Sequence, residues 1–227
     1  MSHLHIPDGV LPLWLWAPGL AVALIVLGLA ARALRDAPRQ RVAYQGALGA
    51  LVLAAMAIEL PLGPVDYHLS LVGPVGVLLG AAAGFEVVFV ASTILAFVGH
   101  GGFTVIGLNA LVLGAGAALS RPLYLALRPR LDPARAMALA TACAQAVSGG
   151  LWLAVVAVAL KLQPAHGTWP VSGRVALLGG IALPLFALGV AVESGVAFGL
   201  ARFLARVRPD LLPGPRPVAA PGAEDAA

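Results

Sequence analysis

Two imidazoles lie within the first five residues, in the run Ser2-His3-Leu4-His5-Ile6-Pro7-Asp8-Gly9. A free α-amine, the next backbone amide nitrogen and a nearby imidazole can close adjoining small chelate rings on one ion. Such all-nitrogen sets suit square-planar or tetragonal Ni(II), Cu(II) or Co(II). If Met1 is removed, as expected when a small serine follows it, Ser2 supplies the amine and His3 both amide and imidazole; if Met1 stays, His3 at position three closes a different four-nitrogen set. Metal binding there would be pH-dependent, because the ligating nitrogens must lose protons. The plainer reading of this leader is a solvated N-terminus.

Three further constellations could carry chemistry. Asp66-Tyr67-His68-Leu69-Ser70 places an imidazole at a helix mouth, where it is either an interfacial residue or the last nitrogen of a site completed by the leader. In Val98-Gly99-His100-Gly101-Gly102-Phe103-Thr104-Val105-Ile106-Gly107-Leu108-Asn109, glycines frame a histidine and precede an asparagine in apolar surroundings. The glycines fit a tight turn with positive φ and close packing. Asn109 would be costly against lipid and must point inward to a partner. Glu193, in Ala191-Val192-Glu193-Ser194-Gly195, should likewise face a bundle interior, as a structural hydrogen-bonding group or as part of a substrate path or subunit contact. Glu59 and Glu86 lie nearer span ends, within reach of water.

The elements that must position these residues are membrane helices. The chain is 60% hydrophobic and 11% charged, a balance that 227 residues cannot hide in a soluble core. The 27 glycines and 18 prolines sit inside apolar runs, where small residues allow close helix approach. Candidate spans are 11–31, 44–62, 105–127, 136–160 and 175–200. The apolar run 69–98, interrupted by Gly73-Pro74, Gly76, Gly80 and a turn at Gly84-Phe85-Glu86, divides into two short helices. The expected fold is therefore all-α, a polytopic bundle of about seven transmembrane helices over residues 1–208, followed by a disordered cytoplasmic tail at 209–227.

Charge orients this bundle. Of the 14 basic residues, Arg32, Arg35, Arg39 and Arg41 follow the first span, Arg121, Arg128, Arg130 and Arg135 flank the end of the fifth, and Arg202, Arg206, Arg208 and Arg216 close the chain. Only Lys161 and Arg174 remain for the opposite side. The positive-inside rule then puts the N-terminus outside and the C-terminus in the cytoplasm. His3, His5, His68, His100 and His166 all fall toward the external side. The cations lack interleaved aromatics and act as topology signals, which excludes nucleic acid as a partner. No Lys or Arg precedes the first apolar run, so the leader is expected to be kept rather than cleaved as a signal peptide. Cys143 alone can form neither an internal disulfide nor a thiolate cluster.

His5-Ile6-Pro7-Asp8-Gly9, His68-Leu69, Gly99-His100-Gly101-Gly102-Phe103-Thr104 with Gly107 and Asn109, and Glu193-Ser194-Gly195 resemble, in order and spacing, the CbiM/NikM family. These are the substrate-binding membrane components of energy-coupling-factor transporters for cobalt and nickel. The resemblance implies a multi-pass inner-membrane bundle that holds Co(II) or Ni(II) near its external face and releases it inward. It implies no tightly bound cofactor, partnership with a transmembrane coupling subunit and cytoplasmic ATPase subunits, and room for a small accessory membrane subunit. The absence of a G-x-x-x-x-G-K-[ST] motif fits ATP hydrolysis on separate chains, so the chain itself is not expected to be an enzyme. In the family the chain usually opens Met-His; here four residues precede the matched His5. Alignment therefore favours His5 as the ligand, whereas chelate chemistry favours His3 beside a processed Ser2, with His68 in either set. Asp8, His100 and Asn109 are implied to hold the leader in place.

Two other readings compete. A hydrolase using Ser148 or Ser194 with His100 lacks a G-x-S-x-G sequence, and the assigned topology puts Ser148 and His100 toward opposite faces. A vitamin-binding component would want an aromatic-lined site, yet aromatics are 6% of the chain. A non-catalytic structural subunit without a ligand remains as the simplest alternative.

Overall fold

The computed structural model describes residues 6, 8–58, 60–62, 65–162 and 171–214; Ser2, His3, His5 and His166 lie outside them. Seven α-helices occur among the described residues: α1 (Leu13–Leu34), α2 (Arg39–Ala57), α3 (Val72–Leu79), α4 (Ala81–Phe97), α5 (Ile106–Leu127), α6 (Pro133–Leu162) and α7 (Val171–Val207). Four are long and apolar enough to cross a bilayer: α1, α5, α6 and the Ala182–Val207 part of α7; α4 is a shorter apolar helix. At 1.5 Å per residue, α1 and α5 reach about 33 Å, slightly more than a hydrocarbon core of about 30 Å. Exposed Leu13, Val22, Leu24, Ile25 and Leu29 on α1 form a face suited to acyl chains and not to water.

The centre of the bundle is α3, all eight of whose residues are buried. It packs on α4, α5 and α6, and glycine makes the approach possible. A Cβ at Gly76 would run into the Ala117 backbone of α5, and one at Gly73 into Thr141 of α6. Gly107 of α5 lies on the α1 backbone at Leu20 in the same way. α7 packs chiefly on α6, with Ala197, Ala201 and Leu204 joining Val77, Met137 and Ala140 in one cluster.

The count of seven agrees with the hydrophobic runs, but boundaries differ: α2 begins at Arg39 rather than 44, α7 covers Val171–Val207 rather than 175–200, and two further differences follow from local chemistry. The second span ends at Ala57 rather than 62, because β1 (Leu60–Leu62) and β2 (Val65–Tyr67) pair antiparallel with Leu60 opposite Tyr67. Pro61 lacks the N–H a continuing helix needs. The 69–98 run breaks once, at Gly80 with φ +83°; Gly84-Phe85-Glu86 is helical within α4, not a turn. Gly84 faces the Ala117 methyl and Gly76, so it acts in packing. Residues 209–214 hold a 3-10 turn at Pro209–Leu211, with Leu211 and Leu212 packed against the α5/α6/α7 cluster.

The arginine-bearing segments meet at one end of the bundle. Leu48 of α2, Leu131 and, after α7, Leu211 and Leu212 share a cluster. The opposite end carries the leader, the hairpin and the 98–105 loop.

Candidate functional site

The leader is held at that second end by two side chains. Ile6 is fully buried among Val105, Leu108, Val156 and Ala159. Its backbone pairs with Asn109 as it would with a neighbouring strand: the Ile6 N–H donates to Asn109 Oδ1 at 2.9 Å, and Asn109 Nδ2 donates to the Ile6 carbonyl at 3.2 Å. Asn109 is only 2% exposed, so each group would lose a partner inside the protein if the pairing broke. Asn109 thus points inward, as its apolar surroundings require, and its partner is the leader backbone.

Asp8 makes the second tie. Its Oδ2 accepts the Phe103 N–H at 2.9 Å, and its Oδ1 accepts the Thr104 N–H at 2.9 Å and the Thr104 hydroxyl. The Thr104 hydroxyl, with the Thr104 and Phe103 amides, holds the Asp8 carboxyl below the usual carboxylate range, against the opposing effect of burial. Glycine chemistry shapes the receiving loop. Gly99 and Gly101 take φ of +86° and +93°, and a Cβ on Gly102 would stand 2.5 Å from the Asp8 nitrogen and from Oδ1. His100, half-buried between these glycines, donates its backbone N–H to Leu95 at 2.8 Å and closes the end of α4.

His68 is 3% exposed, a buried side chain rather than an interfacial one at a helix mouth. After β2 the chain runs without helix through 68–71, and Leu71 adopts a left-handed conformation, φ 52°, before α3 begins. Glu193, 2% exposed, caps this entry from α7: one carboxylate oxygen accepts the Ser70 N–H and the other accepts the Leu71 N–H at 3.1 Å. Gln145 of α6 donates to Ser70 Oγ at 2.7 Å. Gln145 lies twelve residues inside α6 and Glu193 fourteen residues before the end of α7, depths of about 18 and 21 Å from those helix ends. Non-helical backbone at this depth survives only where protein satisfies it.

The structure therefore brings Asp8, Asn109 and the His100 loop together around the leader, and bonds Glu193 to the Ser70 and Leu71 amides that follow His68. Ser2, His3 and His5 fall outside the described residues, and among the described residues no three His, Cys, Asp or Glu side chains form a metal-holding group. Sequence reasoning missed Thr104, Ser70 and Gln145. Only Gln145 carried a signal, as an amide in the middle of a largely apolar helix. Glu86, half-buried in the first half of α4, accepts the Gln45 amide at 2.7 Å in a cleft of about 630 Å³ between α1, α2 and α4.

Residues 5–211 match the cobalt uptake substrate-specific transmembrane region family, CbiM. This chain belongs to that family. The match runs from His5 through the 3-10 turn after α7, so both leader ties and the Glu193 network fall inside it. A Haemophilus influenzae chain that carries a provisional name as a metal transport protein is 33% identical over 137 residues, 59% of this chain and 62% of that relative. The similarity thus spans less than two thirds of that relative's length. Two crystal structures share the fold, each with a TM-score of 0.77. A truncated transition metal transporter, 17% identical, aligns over 89% of this chain and 98% of its own. A transition metal transporter, 19% identical, aligns over 89% and 93%. The CbiM-family chain is a multi-pass membrane protein of the same bundle architecture.

Proposed function

We propose that this CbiM-family chain is the substrate-capture membrane subunit of an energy-coupling-factor importer for Co(II) or Ni(II). In this reading it sits in the inner membrane with its N-terminus outside and its C-terminus in the cytoplasm. The observation that carries it is the two-point anchoring of the leader at Ile6 and Asp8. Backbone geometry then limits how far the candidate ligands stand from a fixed atom: His5 is one Cα–Cα step, about 3.8 Å, from Ile6, and His3 is within about 11 Å. His68 descends from the hairpin at the same end of the bundle and would add an imidazole to nitrogens from Ser2, His3 or His5. An all-nitrogen set of this kind matches the geometry Ni(II) and Co(II) accept. The metal is cargo, and the force that moves it comes from partner chains: a transmembrane coupling subunit and cytoplasmic ATPases.

The test is equilibrium binding of Co(II), Ni(II) and Zn(II) to the detergent-solubilised protein, beside an N-terminally extended form and His68→Ala. One-to-one binding of Co(II) or Ni(II), lost in both variants, is the expected result. A folded protein that binds neither ion overturns the proposal.

A further inference from the structure

We infer that Glu193 is a positioning residue for His68, fixing the non-helical segment 68–71 inside the membrane and with it the depth and direction of that imidazole. The metal consequence rests on the reading of His68 as a ligand; the conformational one does not. His68 stands two and three residues before Ser70 and Leu71, whose N–H groups both donate to Glu193. No helix or ladder bond fixes the backbone between them, and the Glu193 carboxyl group, together with Gln145 on Ser70 Oγ, holds the chain just after His68.

A carboxylate fits this position better than any other side chain. Both backbone donors need an acceptor, and the two oxygens of the Glu193 carboxyl group accept one each. Glutamine would offer one oxygen and turn an NH₂ toward the second N–H. Leucine at 71 in the left-handed region is held against its own preference, which marks the segment as determined by its surroundings. Those surroundings come from three separate elements: Glu193 on α7, Gln145 on α6 through Ser70 Oγ, and α3, locked against α5 and α6 at Gly76 and Gly73. His68 is thus referenced to the bundle interior, whereas the leader is referenced to α5 and the 98–105 loop. The two halves of the proposed metal site hang from different supports.

Glu193→Gln and Glu193→Asp, the latter keeping the carboxyl group but one methylene short, test this with and without metal. In metal-free protein, His68 should be protected from diethylpyrocarbonate in the native chain, partly reactive in Glu193→Asp and most reactive in Glu193→Gln. Hydrogen exchange should show the native Ser70 and Leu71 amides slow. With Co(II) at saturation, the d–d spectrum should shift and Kd should rise about tenfold or more in Glu193→Gln, the usual effect of removing a group that orients a ligand. Monodisperse variants with native His68 protection and a native spectrum overturn the inference. Fast exchange of the native Ser70 and Leu71 amides overturns it too, even if neither variant folds. A native protein that binds no Co(II) or Ni(II) refutes the proposed function instead, and the metal-free arm still decides the role of Glu193.

Discussion

Replacing Asn109 by alanine should detach the leader while leaving the helices in place. The side chain makes two hydrogen bonds to Ile6, at 2.9 and 3.2 Å, both buried. Each contributes about 1 kcal/mol net, and an amide or carbonyl left buried and unpaired costs about 1–3 kcal/mol. The docked leader of Asn109→Ala is therefore weakened by about 2–6 kcal/mol, roughly a 30- to 20,000-fold change in the ratio of docked to free. Once the leader leaves, Ile6 regains water and the penalty stops growing, so the loss is limited by what docking was worth. A metal that requires the docked leader binds in proportion to its population, and apparent Kd should rise about tenfold or more. Hydrogen exchange over the Ile6 to Val10 peptide reports detachment directly, and Co(II) or Ni(II) titration in detergent reports its consequence. Native-like exchange in that peptide together with native affinity would refute the reasoning, since the two hydrogen bonds would then contribute nothing to placing the leader.

Asp8 gives a pH prediction with a definite sign. Its carboxyl is held below the usual range in the folded chain, so its stabilisation of the leader is full above the ordinary carboxylate pKa and is lost as pH falls through the lowered value. Leader exchange, corrected for intrinsic rates, should stay flat from pH 8 to 5 and rise only in stronger acid; Asp8→Asn should be fast throughout. Gly102→Ala places a Cβ 2.5 Å from the Asp8 nitrogen; thermal stability in detergent should hardly change, while leader exchange rises as in Asp8→Asn. Orientation is tested in a Cys143→Ser background: a cysteine at Asp36 should react with an impermeant maleimide only after the membrane is opened, and one at Phe103 in intact cells.

The sequence made the helices legible because hydrophobic length is a one-dimensional property. Runs such as 105–127 and 136–160 recover α5 and α6 to within three residues at each end. What it could not show is which glycine breaks a helix and which one packs it. Gly80 and Gly84 look alike in sequence, yet one takes φ +83° and the other lies against Gly76 of a neighbouring helix; that distinction exists only once α3 and α5 are placed. The same holds for the polar groups. That Asn109 and Glu193 had to face inward followed from the cost of lipid exposure. That their partners are backbone groups 103 and 122 or 123 residues away depends on tertiary pairing, of which sequence carries no trace. Ser70 is an ordinary serine until a Gln145 amide meets it.

The Glu193 clamp also constrains the order in which the protein can be made. Ser70 and the carboxylate that satisfies its amide are 123 residues apart, roughly 6–25 s of synthesis at about 5–20 residues per second. Gln145, on the preceding helix, emerges sooner, and its amide donates to the Ser70 hydroxyl. Throughout that interval the segment before α3 has no acceptor of its own for two backbone N–H groups, and burying them in lipid unpaired would cost several kcal/mol each. The nascent chain must therefore keep residues 68–71 in contact with water or the insertion machinery until its last helix arrives, so that this bundle closes from its end backward.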